Sequence, residues 1–167
     1  MQENHTALGN RAFGEDADNL TVIKYKSHNE AMQFLHGALQ SANGVGLLCG
    51  PKEAGRSTIA RELALQSSTD SDVAFVDGRQ LKPNDLLTKM VNQFGIETTA
   101  DADDELLRVV TGFTREQTSA WQAPILIIDN ADKMYPSTLR ILNTLAALSI
   151  QGRYTLRLVL TGSSSMQ

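Results

Sequence analysis

The chain has 167 residues, 41% of them hydrophobic and 20% charged, with a net charge of −4 and one cysteine, Cys49. That length suits a single domain with a sizeable core, and one cysteine excludes an internal disulfide and fits a reducing compartment. The acidic balance argues against a nucleic-acid footprint, and no apolar stretch approaches the roughly 20 residues that cross a bilayer or resembles a signal peptide.

Residues 1–19 are polar, with Gly9, Gly14 and several acids, and read as a disordered lead to a domain over 20–167. Leu20–Tyr25 alternates and is β-branched, which predicts a short strand. Ser27 with Glu30 three residues later forms a capping box that opens a helix over 28–41, with His28 behind the cap as a surface or hinge residue. Val45–Cys49 reads as a buried strand. A helix over 57–67 then offers Ile59, Leu63 and Leu65 to the core, and Val73–Val76 is the next strand. Pro83 opens a helix carrying Leu86, Leu87, Met90 and Phe94, which Gly95 ends. The helix over 103–118 is acidic in its first turn, as the helix dipole favours. Pro124–Asp129 is a continuous apolar strand ending in a carboxylate. Pro136 opens a helix with Leu139, Leu142, Leu145 and Leu148 on one side, and Leu156–Thr161 is the last strand.

Strands alternating with helices predict an α/β fold, a three-layer sandwich around a mostly parallel sheet covered on both faces. Ligands of such sheets bind at the carboxyl ends of the strands, where Gly50, Asp129 and Thr161 all fall.

The most informative segment is Leu47–Thr58. Gly50, four residues, Gly55, a cation and a hydroxyl follow the spacing of a phosphate-binding (P-loop) turn, except that Arg56 stands in place of lysine. Glycine lets backbone N–H groups converge on one phosphate, and the following helix aims its positive dipole end there. The cofactor-binding candidates are therefore Gly50, Glu53, Ala54, Gly55, Arg56, Ser57 and Thr58. A guanidinium is bulkier than an ammonium, and Glu53 puts a carboxylate into a loop meant for polyphosphate. Ile125–Asp129 reads as a Walker B strand, with Asp129 and Ser57 as the candidate Mg²⁺ ligands. Thr161 and Ser163 sit where a polar sensor meets a γ-phosphate. Asp132 reads as a surface turn and Cys49 as core packing.

The stretches Ser27–Ala31, Val45–Thr58, Val73–Leu81, Pro83–Leu87, Gly95-Ile96, Ile125–Ala131, Pro136 and Leu158–Gly162 together resemble a known family. It comprises the AAA-superfamily ATPases of the general secretion pathway protein A and MSHA pilus biogenesis type, and the ATPase domains of some SPOR-domain division proteins. The resemblance implies ATP and Mg²⁺ as cofactors and action at the inner membrane beside an envelope protein partner. It places Asn130 where the family carries its catalytic glutamate. An amide cannot take up a proton at neutral pH, so general-base catalysis there is lost. The departures at Glu53, Arg56 and Asn130 fall on the nucleotide site and not on the core.

These readings lead to an expected function. The chain is a degenerate, cytoplasmic AAA-type domain, a pseudo-ATPase that binds nucleotide weakly or not at all and works through protein contacts in envelope assembly or secretion. It serves as a possible cytoplasmic part of an inner-membrane protein, with self-association also open. The alternatives are a slow but genuine Mg²⁺-dependent ATPase and a DNA-associated transposition helper. Relative to the family the chain stops before the fifth strand and the lid. Val45–Cys49 is therefore expected as an open sheet edge for Leu20–Tyr25 or a second copy to cover.

Overall fold

The computed structural model describes residues 26–41, 44–120 and 122–166. The expected disordered lead, the expected strand Leu20–Tyr25 and Trp121 lie outside the described residues. In chain order the elements are α1 (Lys26–Gln40), β1 (Val45–Gly50), α2 (Arg56–Ser67), β2 (Val73–Asp77), α3 (Pro83–Gln93) and α4 (Asp103–Ser119). There follow β3 (Ile125–Asp129), a 3-10 turn (Ala131–Lys133), α5 (Pro136–Ala146), the short β4 (Ser149–Ile150) and β5 (Arg153–Tyr154), β6 (Arg157–Ser163) and a second 3-10 turn (Ser164–Met166). Helix α1 begins before Ser27, which therefore lies in its first turn and not at the cap.

Four strands form one parallel sheet in the order β1-β6-β3-β2. Every connection between them contains a helix, as parallel pairing demands. On one face, Leu35 and Leu39 of α1 and Ile59, Ala60 and Leu63 of α2 pack on Ile125, Ile127 and Val159. On the other, Leu86, Leu87 and Met90 of α3, Leu106 and Val110 of α4, and Leu142 and Leu145 of α5 bury Ala74, Val76, Leu126, Ile128 and Leu158. Strand β3 lies between two neighbours and two helical layers, and all five of its residues are buried. That is why its sequence is apolar without alternation.

Two expectations from periodicity need correction. Leu65 is 74% exposed, because at 100° per residue it falls on the far side of α2 from Ile59 and Leu63. Leu139 is likewise exposed at the margin of the α5 stripe that buries Leu142 and Leu145. The β4–β5 hairpin is an addition. Its turn, Gln151-Gly152, holds both residues at positive φ (51° and 78°), the geometry of a two-residue hairpin turn.

The two sheet edges are finished differently. On β2, the Gln93 side chain pairs with the outward backbone of Phe75. Its Oε1 accepts from the Phe75 N–H at 2.7 Å and its Nε2 donates to the Phe75 carbonyl at 2.9 Å. A side-chain amide thus stands in for a neighbouring strand. Strand β1 pairs only with β6 among the described residues, and Val45 and Leu47 are 50% and 41% exposed. This corrects the reading of Val45–Cys49 as a buried strand and agrees with its expectation as an open sheet edge. The second core reaches β2, β3 and β6 but not the Val45 and Leu47 side of β1.

Replacing Gln93 with alanine should leave both Phe75 groups to solvent. The expected cost is about 1 kcal/mol, a fall in Tm of about 2–4 °C, together with faster amide exchange at Phe75. Unchanged exchange at Phe75 would show that the amide bridge does not protect the edge.

Candidate functional site

Strand β1 delivers Gly50 to the carboxyl edge of the sheet, and the chain curls through Pro51–Gly55 into α2. Two residues of the curl adopt left-handed backbone: Glu53 at φ 66° and Gly55 at φ 78°. At Gly55 the requirement for glycine is twofold, because a Cβ there would stand 2.8 Å from Nε2 of His28. His28 is thus half-buried against the loop, not the surface residue its position behind a cap suggested. The first turn of α1 folds back over the curl. Glu53, by contrast, meets the left-handed demand with a full side chain, which an L-residue adopts at a cost of about 1–2 kcal/mol.

No side chain caps α2 at Gly55, so its first-turn N–H groups face the curl without a protein acceptor from that position. The Arg56 side chain folds back across the loop. A Cβ at Gly50 would lie 3.6 Å from Arg56 Cδ and 3.6 Å from the Ala54 methyl. Arg56 Nη1 is buried with no hydrogen-bond partner among the described residues. A buried guanidinium N–H without an acceptor fits an anion better than any neutral group. Ser57 and Thr58 are half-buried in the first turn of α2, and Glu53 and Ala54 are exposed.

The other half of the site is built across the ends of β6, β3 and β2. Thr161, buried on β6, donates its hydroxyl to Oδ1 of Asp129, itself only 5% exposed at the end of β3. The next residue, Asn130, takes left-handed backbone (φ 54°, ψ 41°), which asparagine tolerates better than most residues. Its backbone N–H points at Asp129 Oδ1 (3.1 Å) and Thr161 Oγ1 (3.2 Å). Its side-chain Nδ2 lies 3.2 Å from Asp77 Oδ1 and 3.3 Å from Asp129 Oδ2. Asn130 is therefore a hydrogen-bond donor to two carboxylates.

Asp77 and its neighbour Arg79 were not among the residues singled out from sequence. Asp77 ends β2 in register with Asp129. Arg79 binds it through Nε (2.8 Å), through Nη2 and through its backbone N–H (3.0 Å). The Arg79 guanidinium holds the Asp77 carboxyl at about 2, against burial that works the other way, with the Arg79 N–H and the Asn130 amide adding to the lowering. Gly78 joins the two strand ends, donating to the Asp129 carbonyl at 2.7 Å. A Cβ on it would meet the Asn130 carbonyl at 2.7 Å. The available signal was a strand-ending carboxylate at the ligand edge, the same signal that marked Asp129.

Ser163 does not stand free as a sensor. Its hydroxyl donates to Asp132 Oδ2 at 2.9 Å and lies 2.7 Å from that of Ser165. Asp132, expected on a surface turn, has a side chain only 12% exposed and also pairs with Lys133 at 3.2 Å. Burial pushes its pKa up, but the Ser163 and Lys133 contacts outweigh that and lower it. Among the described residues no three His, Cys, Asp or Glu side chains converge as a metal site. A divalent ion at Ser57 and Asp129 would then complete its shell with phosphate oxygens and water, as Mg²⁺ commonly does.

Residues 39–167 match the family described as AAA domain. General secretion pathway protein A of Aeromonas hydrophila is 28% identical over 141 residues, which cover 84% of this chain and 26% of that protein. The chain thus spans about a quarter of the length of this curated relative. Cdc6p of Pyrobaculum aerophilum has a TM-score of 0.70 at 15% identity, over 90% of this chain and 42% of that one. The ORC2 protein of Aeropyrum pernix, in its ADPNP–ADP complexes, has a TM-score of 0.55 at 14% identity, over 84% of this chain and 41% of its own. At such identities the likeness is one of fold.

The left-handed Glu53 generates a direct test. Glu53→Gly should relieve the backbone and raise Tm by about 2–4 °C, the equivalent of roughly 1 kcal/mol in a domain of this size. A melting temperature at or below that of the parent would show that Glu53 carries no backbone strain.

Proposed function

The chain belongs to the AAA domain family, and we propose that it receives a nucleotide polyphosphate at Gly50–Thr58 but hydrolyses it slowly or not at all. On this reading it serves secretion or cell-envelope assembly through protein contacts. The observation that carries the reading is Asn130: a hydrogen-bond donor engaged by Asp77 and Asp129 stands where a proton acceptor is needed. Binding itself is supported by the unpartnered Arg56 Nη1 and the uncapped start of α2, both of which suit anionic oxygen.

The division of labour follows from these residues. The N–H groups at the start of α2 and the Arg56 guanidinium bind and orient phosphate. Ser57 and Asp129 would hold Mg²⁺, whose contribution is to neutralise phosphate charge. Thr161 fixes the orientation of the Asp129 carboxylate. Nothing at 130 removes a proton from water. Glu53 weakens the loop for polyphosphate by adding a negative charge.

The setting in secretion is supported by the likeness to general secretion pathway protein A, and a membrane-side protein partner is part of the same proposal, as is a cytoplasmic location. Among the described residues no helix is long and apolar enough to cross a membrane.

Calorimetric titration with ATP and Mg²⁺, paired with a turnover assay, tests the reading. Turnover should stay at or below roughly 1% of that of a competent relative, since loss of a general base costs about 10²–10⁴-fold. Arg56→Ala should weaken binding about tenfold or more, and Glu53→Gly should tighten it. Robust Mg²⁺-dependent turnover abolished by Asp129→Ala would replace this reading with that of a working ATPase.

A further inference from the structure

The hydrogen bonds around position 130 have a consequence that does not depend on nucleotide. Asp77 and Asp129 end adjacent parallel strands as register neighbours, so two carboxylates stand side by side at the sheet edge. One side-chain nitrogen lies between them, and its two N–H bonds serve Asp77 Oδ1 at 3.2 Å and Asp129 Oδ2 at 3.3 Å. The other acceptor positions are supplied separately. Asp77 takes the Arg79 guanidinium and the Arg79 N–H, and Asp129 takes the Thr161 hydroxyl and the Asn130 N–H. A carboxylate at 130 would bring acceptors against acceptors and put a third negative charge beside two.

We infer that Asp77, neutralised by Arg79, is a positioning residue that holds position 130 as an amide, so that an acid at 130 is tolerated only when Asp77 gives up its own charge. The acids of this corner end β2 and β3, and the residue after β3 is their shared neutral donor. The charges bonded at this corner do not relieve the conflict, and Lys89 of α3 lines the groove on the Asp77 side. Arg79 is already bonded to Asp77, and Lys133 is paired with Asp132. From β6 come only the hydroxyls of Thr161 and Ser163. Arg56 belongs to the phosphate loop after β1, across β6 from this corner. Restoring a carboxylate at 130 alone is thus not sufficient to rebuild a base.

The test is a thermal-melting cycle on the chain with Asn130→Asp, Asp77→Asn and the double variant. Aspartate is nearly isosteric with asparagine and also tolerates left-handed backbone, so the first change alters charge and little else. Asn130→Asp should lower Tm by about 3–6 °C near neutral pH. In the Asp77→Asn background the same change should cost about half as much or less, because the amide introduced at position 77 can then donate to the carboxylate introduced at position 130, while Asp129 Oδ2 still faces it. If Asn130→Asp fails to fold and the double variant folds, the inference stands. It is overturned if Asn130→Asp melts with the parent or if the double variant is as damaged as the single one. Absence of nucleotide binding would overturn the proposed function and leave these melts unchanged.

Discussion

A run of hydrogen bonds across the ends of three parallel strands, Thr161 to Asp129 to Asn130 to Asp77, is the interaction on which the candidate site depends. It exists because parallel register leaves strand ends level, so that side chains distant in sequence meet at one edge. Each member is fixed by another. Thr161 orients Asp129, Asn130 lies between the two acids, and Arg79 balances the outer one. The phosphate loop supplies the cationic and N–H-rich half of the same edge, and the two halves are held in place by the helical layers beneath them.

The backbone of the edge is under specific demands. Gly55 and Gly78 lie where a Cβ would collide with His28 and with the Asn130 carbonyl, so small size is required at both, and at Gly55 conformational freedom as well. Glu53 and Asn130 accept left-handed backbone with full side chains. Asparagine does so at little cost, whereas glutamate has no local compensation of that kind. Glu53 in the loop and Asn130 after β3 thus hold this backbone without glycine's freedom.

The sheet treats its two borders unequally. Gln93 closes the β2 border with a side-chain amide, whereas β1 leaves Val45 and Leu47 exposed beside the strand that feeds the loop. Parallel sheets are stable when both faces are covered, and here the α3–α5 layer stops short of that strand.

The sequence by itself determined the α/β class, the order of the elements and the position of the loop. Helical periodicity, apolar strands and glycine spacing are local properties that survive without knowledge of packing. Asp129 was legible because four apolar residues lead to it. Asp77 was not, since its role depends on standing next to Asp129 in register and within reach of Asn130, 53 positions away. His28 looked like a surface residue because a cap position says nothing about which loop the helix end meets. Leu65 and Leu139 looked like core because apolar character is visible and the angle at which a helix docks is not. That Ser163 donates to Asp132 is invisible in the sequence, where the two stand 31 positions apart. Which carboxylates meet, and what neutralises them, is decided by strand register, and register is a property of the folded sheet alone.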